Sequence, residues 1–154
     1  MKRYGKNFWI TLFIKQNKWH KYSVLVHTLK VTYHLIEQKQ YHMILAGLLH
    51  DIGKPYSAHQ DPEDIITGEY SFTNHEAIGY HIIKNWPISN KTKLFVRYHY
   101  LIRGMMTAKD RGQMSKYYRR KRIWDSLTDV EQKELTIFWK CDDLGKQPRQ
   151  KKDN

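Results

Sequence analysis

One stretch of this chain limits its fold more than any other. Met43, Ile44, Leu45, Ala46, Leu48 and Leu49 make a segment apolar on most helical faces. It ends on His50 and Asp51, after which Gly53 and Pro55 interrupt it. A helix apolar nearly all round needs neighbours on most sides, so it belongs near the centre of a helical domain. An imidazole and a carboxylate at the end of such a helix are costly to bury unless something pairs with them. A divalent metal ion is the simplest partner for both. His27, His75, His99 and Asp142 supply further donors at separated positions.

The rest of the chain supports helices around that centre. No segment alternates cleanly between apolar and polar residues for more than a few positions, while helical periodicity recurs. An apolar first helix is expected over residues 5–18. Ser23 is placed to cap a second helix, from Val24 to about Gln38, with Val24, His27, Val31 and His34 on one stripe. A third runs from about Gln40 to His50. Residues 51–73 hold Gly53, Pro55, Pro62 and Gly68 and read as a loop. Asn74 reads as the N-cap of a helix through Trp86, ended by Pro87. Ser89 or Asn90 opens another through about Ile102, which Gly104 breaks. Thr128 and Glu131 have capping-box spacing ahead of a last helix that carries Leu135, Ile137, Phe138 and Trp139 and stops at Gly145. The expected architecture is a single all-α domain over residues 1–146, followed by a basic disordered tail over residues 147–154.

Composition narrows the chemistry. With 154 residues, 40% of them hydrophobic and 14% aromatic, one domain can bury a real core. A lone cysteine, Cys141, excludes an internal disulfide and a cysteine-rich zinc site, and reads as a small core residue. The formal net charge of +12 favours phosphorylated partners, a small molecule or RNA, although solubility alone also accounts for such a balance. Much of the charge is regional. Residues 109–122 contain Lys109, Arg111, Lys116, Arg119, Arg120, Lys121 and Arg122 against the single acid Asp110. With Tyr117, Tyr118 and Trp124 interleaved or adjacent, this segment is a candidate nucleic-acid contact. No apolar stretch is long enough to span a bilayer, so no membrane partner is expected. Lys2 and Arg3 precede Phe8, Trp9, Ile10, Leu12, Phe13 and Ile14, which has the outline of a signal peptide. Lys15 follows directly and no small-residue cleavage site appears, so a packed first helix and a cytoplasmic location are expected.

The ordered pattern His27, His50-Asp51 and Asp142 resembles that of the HD superfamily of metal-dependent phosphohydrolases. The flanks agree. Val26-His27-Thr28-Leu29-Lys30-Val31 resembles the family's first histidine helix. The run from Leu48 to Pro55 resembles the form found in HD domains attached to bacterial tRNA nucleotidyltransferases, as does Phe72-Thr73-Asn74-His75-Glu76. Cys141-Asp142-Asp143-Leu144-Gly145 resembles the family's closing segment. The resemblance implies an all-α bundle with a central metal site. It also implies a hydrolase acting on a nucleotide or RNA phosphate ester, either a phosphomonoester or a 2′,3′-cyclic phosphodiester. Carried over residue by residue, His27, His50, Asp51 and Asp142 match the ligands of a first ion. His75 and His99 match the extra histidines of two-metal members, with Asp51 bridging. Asp143 competes with Asp142, and the offset to Gly145 favours Asp142. The cofactor is then one or two divalent ions, Mn, Fe, Ni, Co or Mg. Lys54 stands close enough to His50-Asp51 to reach a bound phosphate, or else is a solvated loop lysine. Arg103 is a second candidate for holding phosphoryl oxygens, and Asp51 is the candidate proton acceptor. The alternative to an enzyme is a basic nucleic-acid-binding module, or a phage or host interaction protein, with a structural or vestigial metal site.

Overall fold

The structure, a computed structural model, describes residues 22–146, so the helix expected at residues 5–18 and the basic tail lie outside the described residues. What is described is all-α apart from one two-residue ladder. Helix α1 (Val24–Glu37) begins where the Ser23 hydroxyl accepts the Val26 N–H. It buries Val24, His27, Thr28, Val31, Thr32 and Leu35 along one stripe. His34 falls off that stripe and pairs with Glu37 at 2.9 Å instead. A 3₁₀ turn, Tyr41–Met43, then feeds α2 (Ile44–Leu49). Gly47 lets α2 lie directly on α1: a Cβ there would stand 2.8 Å from Leu35 Cδ1 and 3.0 Å from Thr32 Oγ1. Helix α2 is less enclosed than its composition suggests. It packs on α1 and on α6 (Asn90–Tyr98), and the opposite face leaves Leu45 and Leu48 exposed.

Residues 51–73 are not a plain loop. They form α3 (Lys54–Ser57), β1 (Ala58–His59), α4 (Pro62–Thr67) and β2 (Ser71–Phe72), with the two strands antiparallel. The residues that looked like breakers punctuate these elements. Asp61 and Asp64 build a capping box, Pro62 takes the first helical turn, and Gly68 ends α4 with φ of 65°. Asn74 also behaves differently from expectation. It precedes α5 (His75–Ile83) at φ of 60° and makes no side-chain cap, so its tolerance of the left-handed region is what the turn uses. Ser89 rather than Asn90 caps α6, accepting the Thr92 N–H at 3.0 Å.

Gly104 does not end a helix; it lies inside α7 (Leu101–Asp110). The basic segment that follows is also helical, forming α8 (Met114–Asp125) against α7. Helix α9 (Asp129–Leu144) opens with the expected Thr128–Glu131 capping box. Gly145 at its end has φ of −68°, so it is not a left-handed stop. A Cβ there would meet Val31 Cγ2 at 2.8 Å and His27 Nδ1 at 3.1 Å, so its bareness brings the end of α9 against α1. The core joins Val31, Leu35, Met43, Phe95, Leu135 and Phe138, with the rings of Phe95 and Phe138 stacked at 5.7 Å. Phe138 also meets the His50 ring edge-on at 5.8 Å, so the core forms one wall of the polar cluster above it. None of the described helices is long and apolar enough to cross a membrane.

Candidate metal centre

Five elements deliver polar side chains to one buried point. His27 comes from the buried stripe of α1. His50 caps the end of α2, and Asp51 follows in the turn. His75 is the first residue of α5, His99 caps the end of α6, and Asp142 lies in the last turn of α9. All six are buried. Polar groups of this kind are buried only when partnered, and their contacts are mostly with one another.

The two oxygens of Asp51 divide the cluster. Oδ2 lies 3.6 Å from His27 Nε2 and 3.3 Å from His50 Nε2, while Oδ1 lies 3.4 Å from His75 Nε2 and 3.9 Å from His99 Nε2. Asp142 Oδ1 closes the first group, 3.0 Å from His27 Nε2 and 3.8 Å from His50 Nε2. Two sets result: His27, His50, Asp51 and Asp142 on one side, Asp51, His75 and His99 on the other. Each contains three donors close enough together to hold a metal ion.

The tautomers sharpen this picture. His50 Nδ1 lies 2.7 Å from the Gly47 carbonyl, His75 Nδ1 2.9 Å from the Phe72 carbonyl, and His99 Nδ1 2.9 Å from the Val96 carbonyl. A carbonyl oxygen only accepts, so each Nδ1 carries the hydrogen and each neutral ring presents a bare lone pair at Nε2. Yet His75 Nε2 and His99 Nε2 face each other at 3.1 Å, and His50 Nε2 faces His27 Nε2 at 3.3 Å. Between His75 and His99 neither ring has a hydrogen to offer, and two lone pairs at that distance repel. A cation between them removes the conflict. Donors about 2.1 Å from one ion lie about 3.0 Å apart at right angles and about 3.4 Å apart at the tetrahedral angle. The observed nitrogen–nitrogen edges fall in that span. Imidazole and carboxylate donors with no sulfur suit a divalent metal ion. The residues present therefore fit a divalent ion, and the carbonyls behind the three rings fix their aim as outer partners of metal ligands do.

Electrostatics agree. Burial pushes His27, His75 and His99 below the usual histidine range, His99 well below, which keeps their lone pairs free. Burial would also lower His50, but the adjoining Asp51 outweighs it and raises the ring. Burial would raise the two carboxyls. His50 and Lys54 beside Asp51, and Lys146 and His27 beside Asp142, instead hold both well below the carboxylate range. Asp51 Oδ2 sits 2.7 Å from the Lys54 ammonium but accepts no well-directed hydrogen bond, so it keeps a lone pair facing the cluster.

Lys54 is thus part of the buried cluster, not a solvated loop residue. Its ammonium also lies 5.5 Å from the centre of the Phe72 ring. Arg103 is placed differently. It sits on α7 outside the histidine cluster and binds Asp143, one residue along from Asp142. That pairing turns Asp143 to the surface and leaves Asp142 in the cluster. Three features have no signal in the sequence: the Lys146–Asp142 pair, the carbonyls behind His50, His75 and His99, and the close approach of Gly53. A Cβ on Gly53 would stand 2.0 Å from the His75 carbonyl oxygen. His34, His42 and His59 pair with Glu37, with Glu134 and with the Ser57 carbonyl, away from the site.

The fold and this cluster together define an all-α domain built around a buried histidine–aspartate centre able to hold a metal. The family model described as HD domain matches residues 24–129, and the chain belongs to that family, whose members are in general metal-dependent hydrolases. Neither curated proteins nor solved structures return a match. The family match ends at residue 129, the first residue of α9, and does not reach Asp142, which the geometry brings into the site.

Proposed function

We propose that this protein is a metal-dependent phosphohydrolase acting on a nucleotide or RNA phosphate ester, a phosphomonoester or a 2′,3′-cyclic phosphodiester. The observation that carries the reading is the pair of facing imidazole lone pairs, His75 against His99, on one side of the Asp51 carboxylate, with His50 and His27 on the other. His27, His50, Asp142 and Oδ2 of Asp51 would hold one divalent ion, and His75, His99 and Oδ1 of Asp51 a second. Bound there, such an ion supplies a water of lowered pKa and positive charge opposite the phosphoryl oxygens.

The chain's own groups do the rest. Asp51, held ionised by the neighbouring His50 and Lys54, would serve as a bridging ligand rather than the proton acceptor, because one oxygen faces His27 and His50 and the other faces His75 and His99. Lys54, whose ammonium lies 2.7 Å from Asp51 Oδ2, would donate to a phosphoryl oxygen and offset negative charge there. Arg103 stands one residue from the Asp142 ligand position across the Asp143 pair, where it would meet a phosphate outside the buried centre. The His50 and Phe138 contact keeps apolar core directly behind the site and excludes water from that side.

The test is hydrolysis of bis(4-nitrophenyl) phosphate by protein loaded with Mn²⁺, read beside metal content by mass spectrometry. Wild-type protein should retain metal and turn over. Asp51→Asn and His50→Ala should lose metal and drop in rate by at least roughly 10²-fold, the scale of disturbances to a metal's surroundings. Full metal content with full activity in both variants would contradict the reading. The basic helix α8 favours a second reading, a nucleic-acid-binding module with a structural ion. Retained metal with no turnover on any phosphate ester would select it.

A further inference from the structure

Helix α8 presents a problem that folding does not explain. It contains Lys116, Arg119, Arg120, Lys121 and Arg122, and it contributes no buried residue. Among the described residues only Lys121 has a carboxylate partner, Asp125. Like charges three and four positions apart on one helix repel, so this composition works against the helix that carries it.

Its seating on α7 is specific nonetheless. Arg120 lies flat across Gly104, where a Cβ would come within 2.7 Å of its Nε, and its Nη1 donates to the Gly104 carbonyl at 3.3 Å. Glycine inside a helix is unfavourable, and here it makes room for a guanidinium. The preceding residue is Arg103, bound to Asp143, the neighbour in sequence of Asp142 in the histidine–aspartate cluster. Arg103 Nε and the Trp139 Nε1 on α9, one turn before Asp143, are donors buried without an acceptor among the described residues. Two arginines and a spare indole N–H therefore collect just outside the buried centre. Beside them α7 and α8 form a cleft of about 340 Å³, lined by Ile102, Met106, Tyr117 and Trp124 among others. Tyr118 beside it stays exposed, with its ring 5.3 Å from that of Tyr117.

We propose that the α7–α8 face binds a single-stranded nucleic acid, with Arg103 and Arg120 holding successive phosphates at the mouth of the metal centre and the aromatic cleft taking a base. The cations of α8 that lack a carboxylate partner among the described residues match a phosphodiester backbone. Exposed aromatic rings match unstacked bases, which a duplex does not offer. A lone nucleotide has no use for a charged row as long as α8. This deepens the phosphohydrolase reading by naming its substrate class, and it is tested where no hydrolysis occurs.

The measurement is fluorescence anisotropy of a short labelled oligouridylate with EDTA present, so binding is scored without turnover. Wild-type affinity should fall about fifty-fold between 50 and 200 mM salt if about four phosphates are contacted. Arg120→Gln should reduce the salt slope by about 0.7. Gly104→Ala should weaken binding several-fold by displacing Arg120, although alanine favours the helix, and unchanged thermal unfolding would separate positioning from damage. A deoxyribose strand and a duplex of the same length are the comparison arms. Binding of both single strands with weak duplex binding supports the proposal. Equal duplex binding, a salt-independent affinity, or wild-type binding by both variants overturns it. Loss of ester hydrolysis elsewhere with this binding intact would count against the enzymatic reading alone.

Discussion

His75 and His99 each commit Nδ1 to a carbonyl three residues earlier, so neither can relieve the other at 3.1 Å. That conflict, not the mere presence of histidines, is what defines the centre. It also fixes how stability of the metal-free protein should depend on pH. His27, His75 and His99 sit below their ordinary value of 6.5, so the unfolded chain binds their protons first. Their contribution is complete above that value and is lost as pH falls below it. Asp51 and Asp142 lose theirs only below 3.8, while raised His50 acts in the opposite direction and weakens as pH rises through its elevated pKa. Thermal unfolding of chelated protein should therefore move to lower temperature as pH is taken from 7 toward 5, and His99→Gln should flatten that profile. An unfolding temperature indifferent to pH over that range contradicts the assignment. Gly53→Ala should cost at least about 2 kcal/mol in denaturant unfolding, since the clash is with backbone, and should weaken metal binding at His75. The identities of the clustered residues were legible in the sequence because ordered histidines and aspartates with their flanks are a pattern. The carbonyls behind them and the approach of Gly53 were not, because they depend on where helices meet.

At the scale of elements, helix starts were read well wherever a side chain does the capping, as Ser23 and Thr128 do. Glycine and proline were read less well. Gly104 seats an arginine, Gly145 admits α1, and Pro62 opens a helix in a segment that looked like loop. A breaker in sequence is either a stop or a point of close contact, and only packing decides which. Two substitutions probe these joints. Thr128→Ala removes one half of the box that starts α9 and should cost about 1 kcal/mol, with the site intact. Phe138→Ala removes the ring stacked on Phe95 and set against His50 and should cost about 3–5 kcal/mol. If α9 carries both core and ligand as described, that second variant should lose metal affinity along with stability. Wild-type metal retention in it would separate the two roles.

Across the whole molecule, the all-α class was plain from periodicity, and the HD family follows from the matched 24–129 segment. The concentration of charge in residues 109–122 was legible in the sequence; that most of this segment forms one helix seated on α7 is a property of the fold. Cys141 joins the core as its composition implied, and burial raises its thiol to about 11, so it should resist alkylation until the protein unfolds. Metal and fold should be coupled: an ion at 100 times its dissociation constant adds about 2.7 kcal/mol. All of this depends on whether a cation closes the space between the facing imidazoles. Anomalous diffraction at the manganese edge from Mn²⁺-loaded crystals asks that directly. The account predicts a peak about 2.1 Å from His50 Nε2 and an oxygen of Asp51, with a second between His75 and His99 when both ions are held. A cluster showing water alone at saturating Mn²⁺, or peaks only on surface carboxylates, would contradict it.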